Sequence, residues 1–269
     1  MAEWRWKLTR IAATGPRGRL GSELVRQGCI PLISDVLDWF ALRVELGNIK
    51  PDVIIHCAAY TDVDGCQNAP RKASEVNTYG TFILSEAWGG KIIYISTDYI
   101  FDGRDGPYTE EAVPSPISIY GWSKLGGELV LRNRPNSLIV RTTVLFDDYS
   151  QNFVTSVIKR LLSGEAVTAP DSLYGSPTYV PHLAKGILAA VHLTGIINVA
   201  GNRVMSRLKF AQMIAEIVGR GTAQDGPIIG AAPRPLNAGL DVGKAQLLGL
   251  PIYDPLDGVT HALEAMAIR

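Results

Sequence analysis

Tyr120 and Lys124 stand four residues apart in SIYGWSK at 118–124, a Y-x-x-x-K pattern that puts both side chains on one face of a helix. A free phenol, with a pKa of about 10, is a poor proton carrier near neutrality. A lysine charge one turn away favours the phenolate. Lowering the phenol by about 3 units takes roughly 4 kcal/mol, which a cation in a dry pocket can supply. The same ammonium can hold the ribose hydroxyls of a nicotinamide. Thr97 ends the apolar run KIIYIST at 91–97, where its hydroxyl would point into the crevice beyond the carboxyl ends of the strands. The three suit hydride transfer to a ketone. Thr97 hydrogen-bonds the carbonyl, Tyr120 delivers the proton, and Lys124 tunes Tyr120 and places the cofactor.

A cofactor for that step has its own signature. After the first apolar run come Gly15, Pro16, Arg17, Gly18, Arg19, Leu20 and Gly21, a G-x-x-G-x-x-G spacing that opens a helix. Glycines serve where the chain turns tightly, where backbone approaches a pyrophosphate and where helix packs on strand. The helix start adds free N–H groups and the positive end of a dipole. Asp35 and Val36, after a short second strand, read as a loop edging the adenine. Arg17 and Arg19 could pair with a 2′-phosphate through forked guanidinium contacts. NADPH is therefore favoured over NADH, with NADH still possible.

The elements that must position these residues alternate. Short Ile- and Val-rich runs, LTRIAAT at 8–14, CIPLIS at 29–34, DVIIHCAA at 52–59, KIIYIST at 91–97 and SLIVRTTVLF at 137–146, suit strands buried on both faces. Between them lie helix-like stretches at 22–28, 69–89 and 118–133, while VDGCQ at 63–67 reads as loop. The pattern predicts an α/β protein with a doubly wound parallel Rossmann sheet. The expected dinucleotide-binding domain spans 1–146, and a smaller, interleaved substrate lobe spans 147–269. A helix at 182–193 and a strand at 195–201 return to the sheet.

Composition narrows the classes. The 269 residues carry 26 Lys+Arg against 26 Asp+Glu, so the broad basic surface that would drive nucleic-acid binding is missing. No apolar run reaches the roughly 18 residues of a membrane span. MAEWRWKLTRIAATG offers no secretory h-region or cleavage site. A cytoplasmic protein, with no nucleic-acid or membrane partner, is expected. Cys29, Cys57 and Cys66 lack paired spacing and read as reduced packing residues. His56, in an apolar strand, reads as a satisfied core residue. Glu110-Glu111 and Asp147-Asp148 read as solvated turns rather than a glycosidase pair.

The motifs also resemble a known family. The glycine loop, HCAAYTDVD at 56–64, VNTYG at 76–80, STDYIFDG at 96–103, SIYGWSK at 118–124, RTTVLF at 141–146 and LYGSPTYV at 173–180 resemble the extended short-chain dehydrogenase/reductases. Within them the chain is most similar to the dTDP-4-dehydrorhamnose reductases, in order through about two-thirds of its length. The resemblance implies NADPH-dependent reduction of the 4-keto group of a dTDP-6-deoxy-4-hexulose. It gives Thr97, Tyr120 and Lys124 the roles above, lines the cofactor with Ala58, Ala59 and Tyr60, and brings Tyr99 to the sugar. It places Val63, Asp64 and Asn152 in or near the nucleotide-sugar cleft.

Two departures bear on the substrate. Val144 stands where these reductases usually carry Trp, removing a large stacking surface. Only Glu23 matches the glutamates through which relatives can bind magnesium at a dimer contact, so no metal is expected; a homodimer remains open. A UDP- or GDP-linked ketosugar is one alternative substrate. A non-catalytic subunit resembling the beta subunit of methionine adenosyltransferase is the other reading.

Overall fold

The computed structural model describes residues 9–267, so the first eight residues of the segment read for a secretory leader lie outside it. In chain order the first half runs β1 (Ile11–Thr14), α1 (Arg19–Arg26), β2 (Ile30–Leu32), α2 (Trp39–Ile49) and β3 (Val53–His56). It continues through α3 (Val63–Asn68), α4 (Pro70–Ser74), a π-helical turn at Glu75–Tyr79, α5 (Gly80–Ala87) and β4 (Lys91–Thr97). A 3₁₀ turn at Asp98–Ile100 precedes α6 (Ile119–Arg132) and β5 (Leu138–Thr142). The second half holds β6 (Leu145–Phe146), α7 (Phe153–Leu162), β7 (Val167–Ala169), β8 (Tyr174–Gly175), β9 (Thr178–Tyr179) and α8 (Val180–Ala189). It closes with β10 (Gly195–Asn198), β11 (Met205–Ser206), α9 (Arg207–Val218), β12 (Ala223–Asp225), α10 (Gly243–Leu247) and α11 (Pro255–Ala267).

Six strands form one parallel sheet in the order β10-β5-β4-β3-β1-β2. The α/β class and the doubly wound parallel architecture expected from the alternating runs are both present. From β1 the chain steps outward to β2, then back past β1 to β3, so the direction of winding reverses between β1 and β3. Ligands of open α/β sheets bind beyond the carboxyl ends of the strands at such a reversal.

Apolar cores cover both faces of this sheet. One joins Leu20 and Leu24 of α1 with Leu183, Ala184 and Ile187 of α8 over Ile55, Ile93 and Val140. The other joins Leu42 and Leu46 of α2 with Leu84 of α5 and Leu131 of α6 over Ile54, Ile92 and Ile139. A separate core unites α7, α9 and α11 around Phe146, Ile158, Phe210 and Val259. The Pro- and Gly-rich stretch at 165–183 contributes short strands in two-stranded ladders and, from Val180, the first turn of α8.

Two local expectations are corrected. VDGCQ is not loop but the body of α3, because the Asp62 carboxylate caps it by accepting from the Gly65 N–H at 3.0 Å. SLIVRTTVLF is not one strand. Val144 sits at φ 50°, a left-handed conformation that a β-branched residue adopts only under constraint. The chain leaves the central sheet there, and β6 pairs with β9 instead.

Candidate active site

The cleft begins with the turn after β1. Gly15 has φ 64°, and a Cβ there would stand 2.9 Å from the Ala58 nitrogen, so the turn can lie against the β3 exit only as glycine. A Cβ on Gly21 would collide with the Gly15 carbonyl, which lets α1 start directly above the turn. Gly18 caps α1 without any side-chain hydrogen bond, so no side chain satisfies the amides of its first turn. The Thr14 hydroxyl accepts from the Cys57 and Ala58 amides at 3.1 and 3.0 Å, tying the β1 and β3 exits together. His56 lies beneath, its ring nitrogens 2.8 Å from Thr14 Oγ1 and 3.1 Å from Thr81 Oγ1. It is the satisfied core residue that its context implied, held neutral by burial at a pKa of about 3.

Beyond these turns opens a cleft of about 460 Å³. Gly15, Gly18, Arg19, Leu20, Gly21, Cys57 and Ala59 line one part, and Thr97, Tyr99, Tyr120 and Lys124 line another. Val63, Asn152, Phe153, Arg207 and Phe210 complete it. Thr97 ends β4 beside Thr142, its partner in β5. Ser118 caps α6 by accepting from the Gly121 amide at 3.2 Å, which sets the first turn carrying Tyr120. The Tyr120 and Tyr99 rings meet edge to face, 5.5 Å between centroids.

The electrostatics differ from the sequence expectation in one respect. Burial is the main influence on Tyr120 and raises its pKa; the Thr97 hydroxyl pulls it down less strongly. The Lys124 ammonium lies over the Tyr94 ring, 4.1 Å from its centre. Burial drives Lys124 down to about 7, against the opposing pull of Cys57 and Glu128. The phenol is therefore a proton holder at neutral pH, not a phenolate kept by its neighbour. That state suits a group that must donate.

The sequence reading passed over Asp98. Its carboxylate is buried, accepting from Thr97 Oγ1 at 3.0 Å and Thr143 Oγ1 at 2.6 Å, and burial lifts its pKa to about 6. Thr97 also accepts from the Tyr99 amide at 3.2 Å, so both its hydrogen and a lone pair are oriented. Arg207, at the start of α9, was also missed, since nothing at its place in the sequence signals a role. Its guanidinium lies 5.0 Å from the Phe153 ring centre and makes no ion pair among the described residues. It is an available cation near Tyr99 and Asp98.

Other expected residues fall elsewhere or are already engaged. The Arg19 guanidinium is already engaged, its Nε 2.6 Å from the buried carboxylate of Asp147. Arg17 is exposed, and no ion pair holds it among the described residues. Pro16 is half-buried in the same turn. Asp35 is exposed and accepts from the Leu37 amide at 2.9 Å. Val36 is buried against Gly80. The Tyr60 amide donates to Asn77 Oδ1 at 2.7 Å, and the Lys72 ammonium sits 4.7 Å from its ring centre. Asp64 does not offer its carboxylate to the cleft, because Arg234 Nη2 at 2.6 Å and the Ala232 amide at 2.8 Å take it. Asn152 caps α7 through the Thr155 amide at 3.1 Å and donates to the Asp147 carbonyl at 2.8 Å.

The paired acids were misjudged in part. Asp147 is wholly buried, and Glu110 is buried with its carboxylate accepting from the Asn198 amide at 2.8 Å. Glu23 is spent on Arg26 and on Gln27 Nε2 at 2.6 Å. Cys29, Cys57 and Cys66 are free thiols; Cys57 borders the cleft, and burial raises all three.

Comparison with known proteins places this geometry. A dTDP-4-dehydrorhamnose reductase of Mycobacterium tuberculosis is 34% identical over 288 residues, covering 96% of this chain and 93% of that protein. The crystal structure of a dTDP-4-dehydrorhamnose reductase from Bacillus anthracis in complex with NADP superposes with a TM-score of 0.86 at 30% identity, covering 97% of this chain and 99% of that one. Methionine adenosyltransferase 2 subunit beta of Danio rerio is 30% identical over 277 residues, covering 90% and 86%. The RmlD substrate binding domain model matches residues 9–267. The chain belongs to the RmlD substrate binding domain family.

Proposed function

We propose that the protein is an NAD(P)-dependent oxidoreductase that reduces the 4-keto group of a nucleotide-linked 6-deoxyhexulose, with dTDP-4-dehydrorhamnose as substrate and NADPH as reductant. The observation that carries this reading is the sharing of one cleft by the glycine turn, the Thr97–Tyr120–Lys124 group and the available cation of Arg207. The NADP-bound relative supports the cofactor, and the named reductases support the substrate class.

The residues fit a dinucleotide. Its pyrophosphate would lie on the uncapped first turn of α1, where the Gly15 turn leaves no Cβ in the way. Arg17, exposed at the same turn, would take a 2′-phosphate. Lys124 would hold the nicotinamide ribose. When bound, the reduced nicotinamide supplies the hydride.

The protein's own part is proton delivery and orientation. Burial keeps the proton on Tyr120 until the ketone oxygen gains charge and accepts it. Thr97 directs its hydrogen to Asp98 in the free cleft, so the ketone oxygen competes with that carboxylate for the hydroxyl. Arg207 would meet the diphosphate that links sugar to base, as a guanidinium suits phosphate oxygens. Val144, with no indole to offer, leaves the sugar a wider seat.

The test is an absorbance assay of NADPH consumption with dTDP-, UDP- and GDP-linked 4-ketosugars. Consumption with the dTDP substrate and formation of the 4-hydroxyl product is the expected result. The likeness to methionine adenosyltransferase 2 subunit beta supports a second reading, a non-catalytic partner subunit. Stable association with a methionine adenosyltransferase together with no turnover on any ketosugar would favour it.

A further inference from the structure

We propose that the Arg19–Asp147 ion pair couples cofactor binding to substrate binding, so that each ligand tightens the other. This deepens the proposed function and rests on it. Arg19 opens α1, and its backbone belongs to the turn where a pyrophosphate would sit. Its side chain does not follow its backbone. The guanidinium crosses to the segment after β6, with Nε 2.6 Å from Asp147 Oδ2 and 3.2 Å from Ser150 Oγ, and Nη2 3.2 Å from the Gln151 carbonyl. Tyr149 returns the contact, its hydroxyl donating to the Arg19 carbonyl at 2.9 Å.

Asp147 organises the receiving side. It is wholly buried and accepts from the Tyr149 and Ser150 amides at 3.1 and 2.7 Å and from Ser150 Oγ at 2.8 Å. Asn152 donates to its carbonyl at 2.8 Å and caps α7. The next residue, Phe153, carries Arg207 against its ring on the substrate side. A continuous run of polar contacts thus joins the first turn of the cofactor-binding helix to the cap of the helix that seats the substrate.

The charge is what makes this more than packing. An uncompensated carboxylate at a fully buried position is strongly disfavoured, so the 147–152 turn keeps its place only while a cation and several N–H groups surround it. Fixing α1 with a pyrophosphate fixes where that cation stands. The turn, the α7 cap and Phe153 are then ordered before substrate arrives. By linkage, a substrate that orders them lowers the ordering left for the cofactor.

The experiment measures NADPH affinity by calorimetry, alone and with a saturating nucleoside diphosphate, choosing whichever of dTDP, UDP and GDP the wild type binds. The wild type should show at least about a fivefold tightening. In Arg19→Gln that ratio should fall to near one, whatever happens to each affinity alone, and Arg19→Lys should keep a measurable part of it. Arg19 is the position to vary because it is half-exposed, whereas Asp147→Asn risks the fold. A wild-type ratio of one, an unchanged ratio in Arg19→Gln, or equal loss in the Gln and Lys variants would overturn the coupling while leaving the reductase reading intact. A wild type that binds neither NADPH nor any of the three nucleotides would overturn both.

Discussion

The ammonium of Lys124 lies 4.1 Å from the centre of the Tyr94 ring, and the Tyr94 hydroxyl donates back to the Lys124 carbonyl at 3.2 Å. Burial outweighs so weak a counter-ion as an aromatic face and pushes Lys124 down to about 7. The unfolded chain, in which lysine titrates near 10.4, therefore binds more protons than the folded one between about pH 7 and 10. Stability from this group rises with pH across that window. Lys124→Met removes the effect. Urea midpoints should show the variant gaining most over the wild type near pH 7 and least near pH 10; a gap that does not change with pH would refute the assignment.

Tyr120→Phe keeps the edge-to-face packing on Tyr99 but removes the proton. Turnover should fall by about two to four orders of magnitude, as for loss of a general acid, while NADPH binding stays nearly intact. Steady-state kinetics with a ketosugar and a separate binding titration check the two halves. A wild-type rate in the variant would remove Tyr120 from the chemistry.

With Arg19 committed to Asp147, Arg17 is left as the cation at the glycine turn for a 2′-phosphate. Arg17→Ala should weaken NADPH by about 10- to 100-fold, the range for losing a charged hydrogen bond, and leave NADH nearly unchanged. Equal losses for both cofactors would refute the contact.

Arg141 and Glu128 form a buried forked pair, with Nε to Oε1 at 3.1 Å and Nη2 to Oε2 at 2.9 Å, and Arg141 Nη1 donates to the Glu110 carbonyl at 3.1 Å. The pair pins α6, one turn beyond Lys124, to β5. Glu128→Ala should cost about 3–5 kcal/mol, because it strands the guanidinium in the interior. Changing both residues to apolar side chains should cost less than the single change. Denaturant unfolding of the wild type and these two variants decides it; a double change that costs more than Glu128→Ala would mean that the pair does not act as a unit.

The candidate site residues were legible because each depends on short-range pattern. The glycine turn needs three glycines at fixed spacing, and Tyr120 and Lys124 share a helix face whatever surrounds that helix. Apolar runs bounded by turn residues marked the parallel strands for the same reason. The break at Val144 was not legible, because a left-handed Val is set by the strands it must separate and contradicts its own preference. Nor was the burial of Glu110 and Asp147, since an acid in a turn-like stretch is solvated unless distant residues enclose it.

The sequence by itself determined the order of the elements, the turn that can face a pyrophosphate and the phenol–ammonium pair, all fixed by local backbone geometry and helical periodicity. Only the tertiary structure decided which charges are free. It gave Arg19 to Asp147 and Asp64 to Arg234, left Arg207 facing the cleft, and let burial rather than Lys124 set the proton on Tyr120. Ion pairing and desolvation depend on groups far apart in the chain, and folding alone brings those groups together.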